Sequence, residues 1–509
     1  MKKILLLTTE LHRPVGGLYR YVTELLPSWR NAVKTGQTTF EPLVWSLRDS
    51  SQPLGDLKPS AEFEEFASKK GFKIYEALRG GEKCFFLESS LNEEQRNAFH
   101  KELWDKYRVK SERVAYWDFY QKLNAFWKHM PDVAQHLVEK GEDISAIDAQ
   151  DWLDFPAGFL CKERIKKPLL CRFHSGEFGR SLGKPDFESP ALRIEAMALA
   201  EADYVQGVSI SEAKYEVYKL LSFKQKLVEQ VKDLRPARWL EEQRWKDGEY
   251  EKFVLLETDE MELVTQAVAG VPNGIILEPW RKVSKETIER GRSLFNKLLP
   301  GKNKYVMFIG RAEWRKGIDH LLEGIAMLKN PAYGLVVFSS MTEEEYRKYS
   351  QKIADLGIQG QVIVYNGWID EDLKKGLLCS ADAIALPSLY EPFGLVTLEG
   401  LAADLACENN GLIGPVVVVG DTGGMHELVK NGVNGFKIPM EEDMFEMDPR
   451  FLSKVLEIVL TDEHLRHRIS IGGAERSQLK YFDWNYIALR IMELHRKADE
   501  NYAAWHAGP

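Results

Sequence analysis

The sequence predicts an α/β protein of two domains, each built on a parallel sheet flanked by helices. Three observations carry that expectation. The chain has 509 residues, more than one hydrophobic core accommodates. Short apolar runs alternate with stretches of helical periodicity, the pattern of strand–helix–strand units. That pattern closes near residue 274 and starts afresh after residue 303.

The elements follow in order. Residues 3–8 read as the first strand. Its apolar core, Ile4-Leu5-Leu6-Leu7, runs straight into Thr8-Thr9-Glu10, which fits a buried strand and not a secretory leader. A loop with Gly16-Gly17 comes next, and then Leu18, Tyr21, Val22, Leu25, Leu26 and Trp29 fall on one helical face. Residues 45–130, dense in charge and aromatics, read as helical insertions on the first domain. Strands are expected at 144–149, 169–173 and 204–208. Residues 219–262 are highly charged and read as a helical excursion or a flap. Val271-Pro272-Asn273-Gly274 reads as the turn that closes the first domain. The second half places strands at 305–309, 334–338, 362–365, 383–386 and 415–419, and residues 482–502 form an aromatic, helical ending.

Composition narrows the function. With 44% hydrophobic and 28% charged residues the chain falls in the range of soluble globular proteins. No apolar run approaches the roughly 18 residues of a membrane span. The formal net charge of −9 disfavours nucleic acid as a partner. Five scattered cysteines without a CxxC pair point to reduced thiols and a cytoplasmic setting, not to disulfides or a zinc site. The oligomeric state is not legible.

Ligands of open parallel sheets bind beyond the carboxyl ends of the strands. The richest segment in such a position is 386–401, with a strand ending near Leu386 and a helix opening near Leu395. The first amides of a helix lack internal partners and carry partial positive charge, so a diphosphate docks there. Gly394, without a Cβ, lets the ligand approach the backbone. Glu391 stands just before this turn and Glu399 about one helical turn inside. Two carboxylates repel a bare phosphate, but they accept hydrogen bonds from hydroxyls. A nucleotide sugar offers a ribose diol on one side of its diphosphate and a hexose on the other. In a second segment, Arg311 follows a strand directly and Lys316 opens the next helix. A cation about 4 Å from a developing negative charge is worth about 4 kcal/mol at an effective dielectric near 20. Taken singly, each of these residues also suits a surface salt bridge or an ordinary helix start.

Together the motifs resemble the GT-B glycosyltransferases of family 4 and the related glycogen and starch synthases. Arg311 and Lys316 match the family's R-x4-K pair, and Glu391 and Glu399 its Glu-x7-Glu segment. Asn273-Gly274-Ile275 is similar to its interdomain turn, with Ile276 in place of an acidic residue. Asp421-Thr422-Gly423-Gly424 is similar to its Gly-Gly loop. The resemblance implies a GT-B fold, two Rossmann-like parallel-sheet domains facing a central cleft. It divides the chain into an acceptor domain over 1–273, a donor domain over 274–481, and a last helix over 482–509 that returns to the first domain.

The resemblance also implies roles. Arg311 and Lys316 bind the donor diphosphate, Glu391 meets the sugar hydroxyls and Glu399 holds the ribose. Phe393 and the backbone of Gly394, Leu395 and Val396 line the donor site. In the first domain Gly16 and Gly17 approach the phosphates, and His174 matches the family's active-site histidine. Asp148-Ala149-Gln150-Asp151-Trp152 looks like the synthases' HAHDW segment with both histidines replaced. Asp151 and Glu10 are acceptor-side candidates, Asp151 serving equally well as a helix N-cap. One departure stands out: the synthases carry a lysine before V-G-G-L, where this chain has Pro14.

The implied reaction is retaining transfer of a hexose, glucose in the first instance, from a nucleotide-diphosphate sugar to a sugar hydroxyl. The acceptor is an α-glucan or, alternatively, a small molecule, a lipid-linked sugar or a surface glycan. A non-catalytic glycan-binding scaffold on the same fold is the reading of another class. No cofactor is expected, nor a metal: the Asp-x-Asp at Asp370-Glu371-Asp372 sits at a helix start, where acids complement the dipole.

Overall fold

The computed structural model describes residues 1–12, 16–116, 118–214, 261–328, 330–367, 369–440 and 446–506. The chain divides into two compact units. One holds the described residues up to 214, residues 261–274, and the helix Trp484–His506; the other holds Ile275–Asp483.

The first unit is built on ten strands: β1 (Lys2–Leu7), β2 (Phe40–Leu47), β3 (Lys58–Pro59), β4 (Lys73–Arg79), β5 (Glu82–Glu88), β6 (Ile144–Gln150), β7 (Leu169–Phe173), β8 (Tyr204–Gly207), β9 (Leu263–Val264) and β10 (Val268–Gly270). Their order across the sheet is β3-β4-β5-β2-β1-β6-β7-β8-β10-β9. The centre is parallel, and antiparallel pairing is confined to β3–β4, β4–β5 and β9–β10. Strand β1 shows why the centre reads as an unbroken apolar run. Leu5 and Leu7 enter one core cluster and Ile4 and Leu6 the other, so both faces are covered. The helix Gly17–Lys34 buries the stripe expected from its spacing, Leu18, Tyr21, Val22, Leu25, Leu26 and Trp29. Trp484, Ile487, Ile491 and Leu494 of the last helix join the same cluster.

Residues 45–130 correct the expectation of helical insertions. Helices Glu93–Tyr107 and Asp118–Glu139 are there, but β3, β4 and β5 extend the sheet itself. The run Cys84-Phe85-Phe86-Leu87 is buried on both faces, and Gly80 and Gly81, both at positive φ, make the turn from β4. Residues 215–260, most of the 219–262 excursion, lie outside the described residues, as do Arg13, Pro14 and Val15.

The second unit is a six-stranded, wholly parallel sheet: β11 (Lys304–Ile309), β12 (Tyr333–Phe338), β13 (Val362–Tyr365), β14 (Ala383–Leu386), β15 (Val416–Gly420) and β16 (Phe436–Ile438). The order is β13-β12-β11-β14-β15-β16. Asp370 caps the helix Glu371–Ser380, accepting from Leu373 N–H at 2.7 Å. The five cysteines are free and buried. Among the described residues no helix is long and apolar enough to cross a membrane.

One buried acid tests the packing of this unit. Asp404, on the helix Leu395–Asn409, is fully buried, with the backbone of Gly473 and Gly414 drawn against its carboxyl. Burial pushes this carboxyl well above its ordinary value, and the Cys407 thiol adds to the effect. A group whose folded pKa is raised stabilises the fold below its unfolded value, near pH 4, and that stability is lost as pH rises. Asp404→Asn is therefore expected to raise the melting temperature relative to wild type more at pH 8 than at pH 4. A gain that is equal at both values would contradict a neutral carboxyl at this position.

Candidate functional site

In the second unit, two loops at the carboxyl ends of neighbouring strands lock together. β11 and β14 pair directly. After β11 comes the short 3₁₀ turn Trp314–Lys316, and after β14 the loop that opens the helix Leu395–Asn409. Leu389 N–H donates to the Arg315 carbonyl at 2.7 Å. Gly317, at φ 69°, packs so close that a Cβ there would lie 1.9 Å from the Pro387 carbonyl oxygen. Gly317→Ala is accordingly expected to cost at least about 1–2 kcal/mol from its left-handed backbone alone. A thermal denaturation midpoint unchanged in that variant would contradict the close approach.

That packing joins the residues of the two segments. Lys316 Nζ meets Glu391 Oε2 at 2.5 Å, each side chain about four-fifths buried. Arg311 pairs with Glu313 at 2.8 Å and is 76% exposed, so it remains open to a ligand at the rim. Glu313 also binds Arg315. Burial opposes ionisation of Glu313, but the two guanidiniums outweigh it and hold the carboxyl below its ordinary value. Both cations are thus each paired with a carboxylate.

The helix start has the form an anion site requires. Gly394 is its N-cap at φ 100°, a conformation that favours glycine. Among the described residues no side chain caps the first turn and no acid lies in it. A Cβ at Gly394 would come within 2.9 Å of Met425. Leu395 and Val396 are half-buried, at the first two helical positions. Gly424 N–H donates to the carbonyls of Glu391 and Pro392, both at 3.1 Å, which ties the Gly-Gly loop to the same turn. The Phe393 ring is buried, edge-on to Phe482, so at this position the loop presents backbone.

Glu399 lies one turn inside, its side chain 2% exposed, and accepts from Lys374 Nζ at 2.7 Å. Lys374 comes from the helix Glu371–Ser380, and sequence reasoning missed it. No motif spacing marks the pair, because its members are joined only by the packing of two helices.

In the first unit, the carboxyl ends of β1, β6 and β7 gather Glu10, Asp151, Asp154 and His174. Glu10 is exposed beside Gly16, where a Cβ would lie 3.6 Å from Glu10 Oε2. Gly16, at φ 104°, and Gly17 open the helix Gly17–Lys34 and are both exposed. Asp151 has φ 65°, an uncommon conformation for a non-glycine residue and a frequent sign of function. Burial pushes its carboxyl up to about 6, against the pull of Arg180 and of the backbone N–H groups of Trp152, His174 and Ser175. Asp151 does not cap the following helix with its side chain; Asp154 is the N-cap residue, without a side-chain cap bond. Asp154 instead accepts from Thr9 N–H at 3.0 Å, bracing the loop that follows β1. Burial pushes this second acid well above its ordinary range, and the charges of Glu10 and Asp151 add to that. It too escaped the sequence reading, although its i, i+3 spacing from Asp151 was visible. His174 sits one residue beyond β7, its ring edge-on to Tyr21 at 4.8 Å. Burial, and then the positive charge of Arg172, holds its imidazole down to about 3, so the ring is neutral.

Comparison with known proteins adds independent information. Residues 290–476 match the model of the family described as glycosyl transferases group 1. The chain is similar to an uncharacterised glycosyltransferase of Methanocaldococcus jannaschii, 27% identical over 365 residues, covering 70% of this chain and 77% of that one. It is similar to the alpha-maltose-1-phosphate synthase of Mycobacterium tuberculosis, 26% identical over 233 residues, covering 45% of this chain but only 56% of the relative. In structure it is similar to the catalytic domain of starch synthase IV from Arabidopsis thaliana bound to ADP and acarbose, with a TM-score of 0.60, 14% identity, and coverage of 98% of this chain and 99% of that one.

Proposed function

We propose that this chain, which has a GT-B fold and matches the glycosyl transferases group 1 model over residues 290–476, transfers glucose from a nucleoside-diphosphate sugar to a sugar hydroxyl of an α-glucan, with retention and without a metal. The second unit binds the donor, and the first carries the acceptor-side groups. The observation that supports this most is the Lys316–Glu391 pair set against the glycine-capped start of the helix Leu395–Asn409, with Glu399 one turn inside.

The chemistry then follows from the residues. The diphosphate takes the amides of Leu395 and Val396 and the charges of Lys316 and Arg311. Glu391 and Glu399 accept hydroxyl hydrogens from the hexose and the ribose. As the glycosidic bond breaks, negative charge grows on the leaving diphosphate oxygen, and the fixed cations stabilise it. The acceptor hydroxyl attacks from the same face, and the departing oxygen takes its proton. A neutral His174 does not donate a proton at physiological pH; it orients the sugar. Positioning and electrostatics supply the rate.

A thermal-shift screen of ADP-, UDP- and GDP-glucose tests the donor class, since a bound donor stabilises the folded state. Transfer to glycogen or a maltooligosaccharide is expected to continue in excess EDTA and to yield an α-configured product. A β-linked product, or activity abolished by EDTA and restored by magnesium, would contradict the mechanism.

A further inference from the structure

A chain of fully buried polar groups runs beneath the first unit's site, and none of it was assigned a role above. Asp148 and Gln150 lie two apart on β6 and Arg172 on β7, with Gln150 in register with Arg172. The period of two puts Asp148, Gln150, Arg172 and the following His174 on one face of the sheet. Arg172 Nη2 bonds Asp148 Oδ2 at 2.7 Å, and Arg172 Nη1 bonds Tyr21 Oη at 2.9 Å and the Gln206 amide. His495 Nε2, from the last helix, lies 3.1 Å from the same Asp148 oxygen. Asp148, Gln150 and Arg172 are 0% exposed. Burial opposes ionisation of Asp148, but the Arg172 charge and then His495 overcome it and hold the carboxyl below its ordinary value.

The ionised Asp148 decides how Gln150 is turned. Gln150 Nε2 donates to Asp148 Oδ1 at 2.5 Å. The reversed amide would set its oxygen against a carboxylate, both acceptors, between two fully buried residues. With the amide nitrogen committed to Asp148, the amide oxygen faces His174 Nε2 at 2.7 Å. An oxygen there can only accept, so the imidazole must carry its proton on Nε2.

We infer that Gln150 is a positioning residue that fixes His174 as its Nε2–H tautomer, leaving Nδ1 as a hydrogen-bond acceptor. Resting on the proposed function, the ligand of Nδ1 is a hydroxyl of the bound sugar. Charge is thereby read through three residues: Arg172 holds Asp148, Asp148 turns Gln150, and Gln150 sets the histidine. The site gains an acceptor where a free-turning histidine would offer either a donor or an acceptor. An amide at 150 fixes a tautomer only while an anion at 148 orients it.

The test is nitrogen-15 NMR of the histidine-labelled full chain without nucleotide, with His174 assigned by its loss in His174→Ala. In wild type, the Nε2–H tautomer is expected from pH 5.5 to 8. In Gln150→Leu, which removes the acceptor but leaves the Asp148–Arg172 pair, a mixture of tautomers is expected. In transfer assays the same variant is expected to lose about tenfold in kcat with the donor KM within about twofold. An Nδ1–H tautomer in wild type, whatever the variants do, overturns the inference, as does an unchanged tautomer in Gln150→Leu. A protein that binds no nucleotide sugar but shows the Nε2–H tautomer would instead sink the proposed function and leave the Gln150 contact standing.

Discussion

Lys316→Ala is expected to reduce kcat/KM for transfer by about 10²–10³-fold, the scale on which removal of one preorganised charge from a transition state is felt. Two effects add. The leaving diphosphate loses a cation worth about 4 kcal/mol at contact distance and an effective dielectric near 20. Glu391, now without its partner at 2.5 Å, leaves an uncompensated carboxylate beside the anion. The second effect is separable: Lys316→Ala combined with Glu391→Gln should recover donor affinity relative to Lys316→Ala alone, but not kcat. Lys316→Arg, which keeps the charge on a different geometry, should fall between. Steady-state rates with the donor identified by thermal shift check this, with circular dichroism to confirm the fold. A Lys316→Ala enzyme within threefold of wild type would mean that the pair is merely structural.

The second large effect concerns the ribose end. Glu399→Ala is expected to weaken nucleoside-diphosphate binding by about 30-fold, because hydrogen bonds from the ribose to a charged group contribute about 1.5–3 kcal/mol. A separate cost in stability falls on Lys374, left at 15% exposure without the carboxylate it contacts at 2.7 Å. The double variant Glu399→Gln with Lys374→Met removes both charges and should restore thermal stability without restoring affinity. Titration calorimetry separates the two. If affinity returns together with stability, Glu399 holds the helices Glu371–Ser380 and Leu395–Asn409 together and does not hold the ribose.

How much of this was legible in the sequence depends on how local its cause is. Strands β1, β6, β7, β8 and β11 to β15 fall where apolar runs placed them, because a parallel strand covered on both faces cannot alternate. The stripe on Gly17–Lys34 and the Asp370 cap were equally local. The antiparallel margin was not. β4 carries charge at Lys73, Glu76 and Arg79, and β5 is aromatic at Phe85 and Phe86, so neither looked like part of the central sheet. The edge strand β16 is three residues long and was passed over. At the site, residue types and spacing pointed to Arg311, Lys316, Glu391 and Glu399, but not to Lys374, the partner of Glu399. Lys374 reaches Glu399 through helix packing, and Gln150 reaches His174 across two strands. Such contacts are set by register and burial, which periodicity does not record.

The most direct measurement of the central claim is calorimetric titration of ADP, UDP and GDP into the full chain in excess EDTA, repeated with Lys316→Ala and Glu399→Ala. One of the three nucleotides should bind wild type without metal and lose at least tenfold in affinity in each variant. Binding that needs magnesium, or that is unchanged in both variants, would show that the glycine-capped helix start and its flanking charges are not where the donor is held.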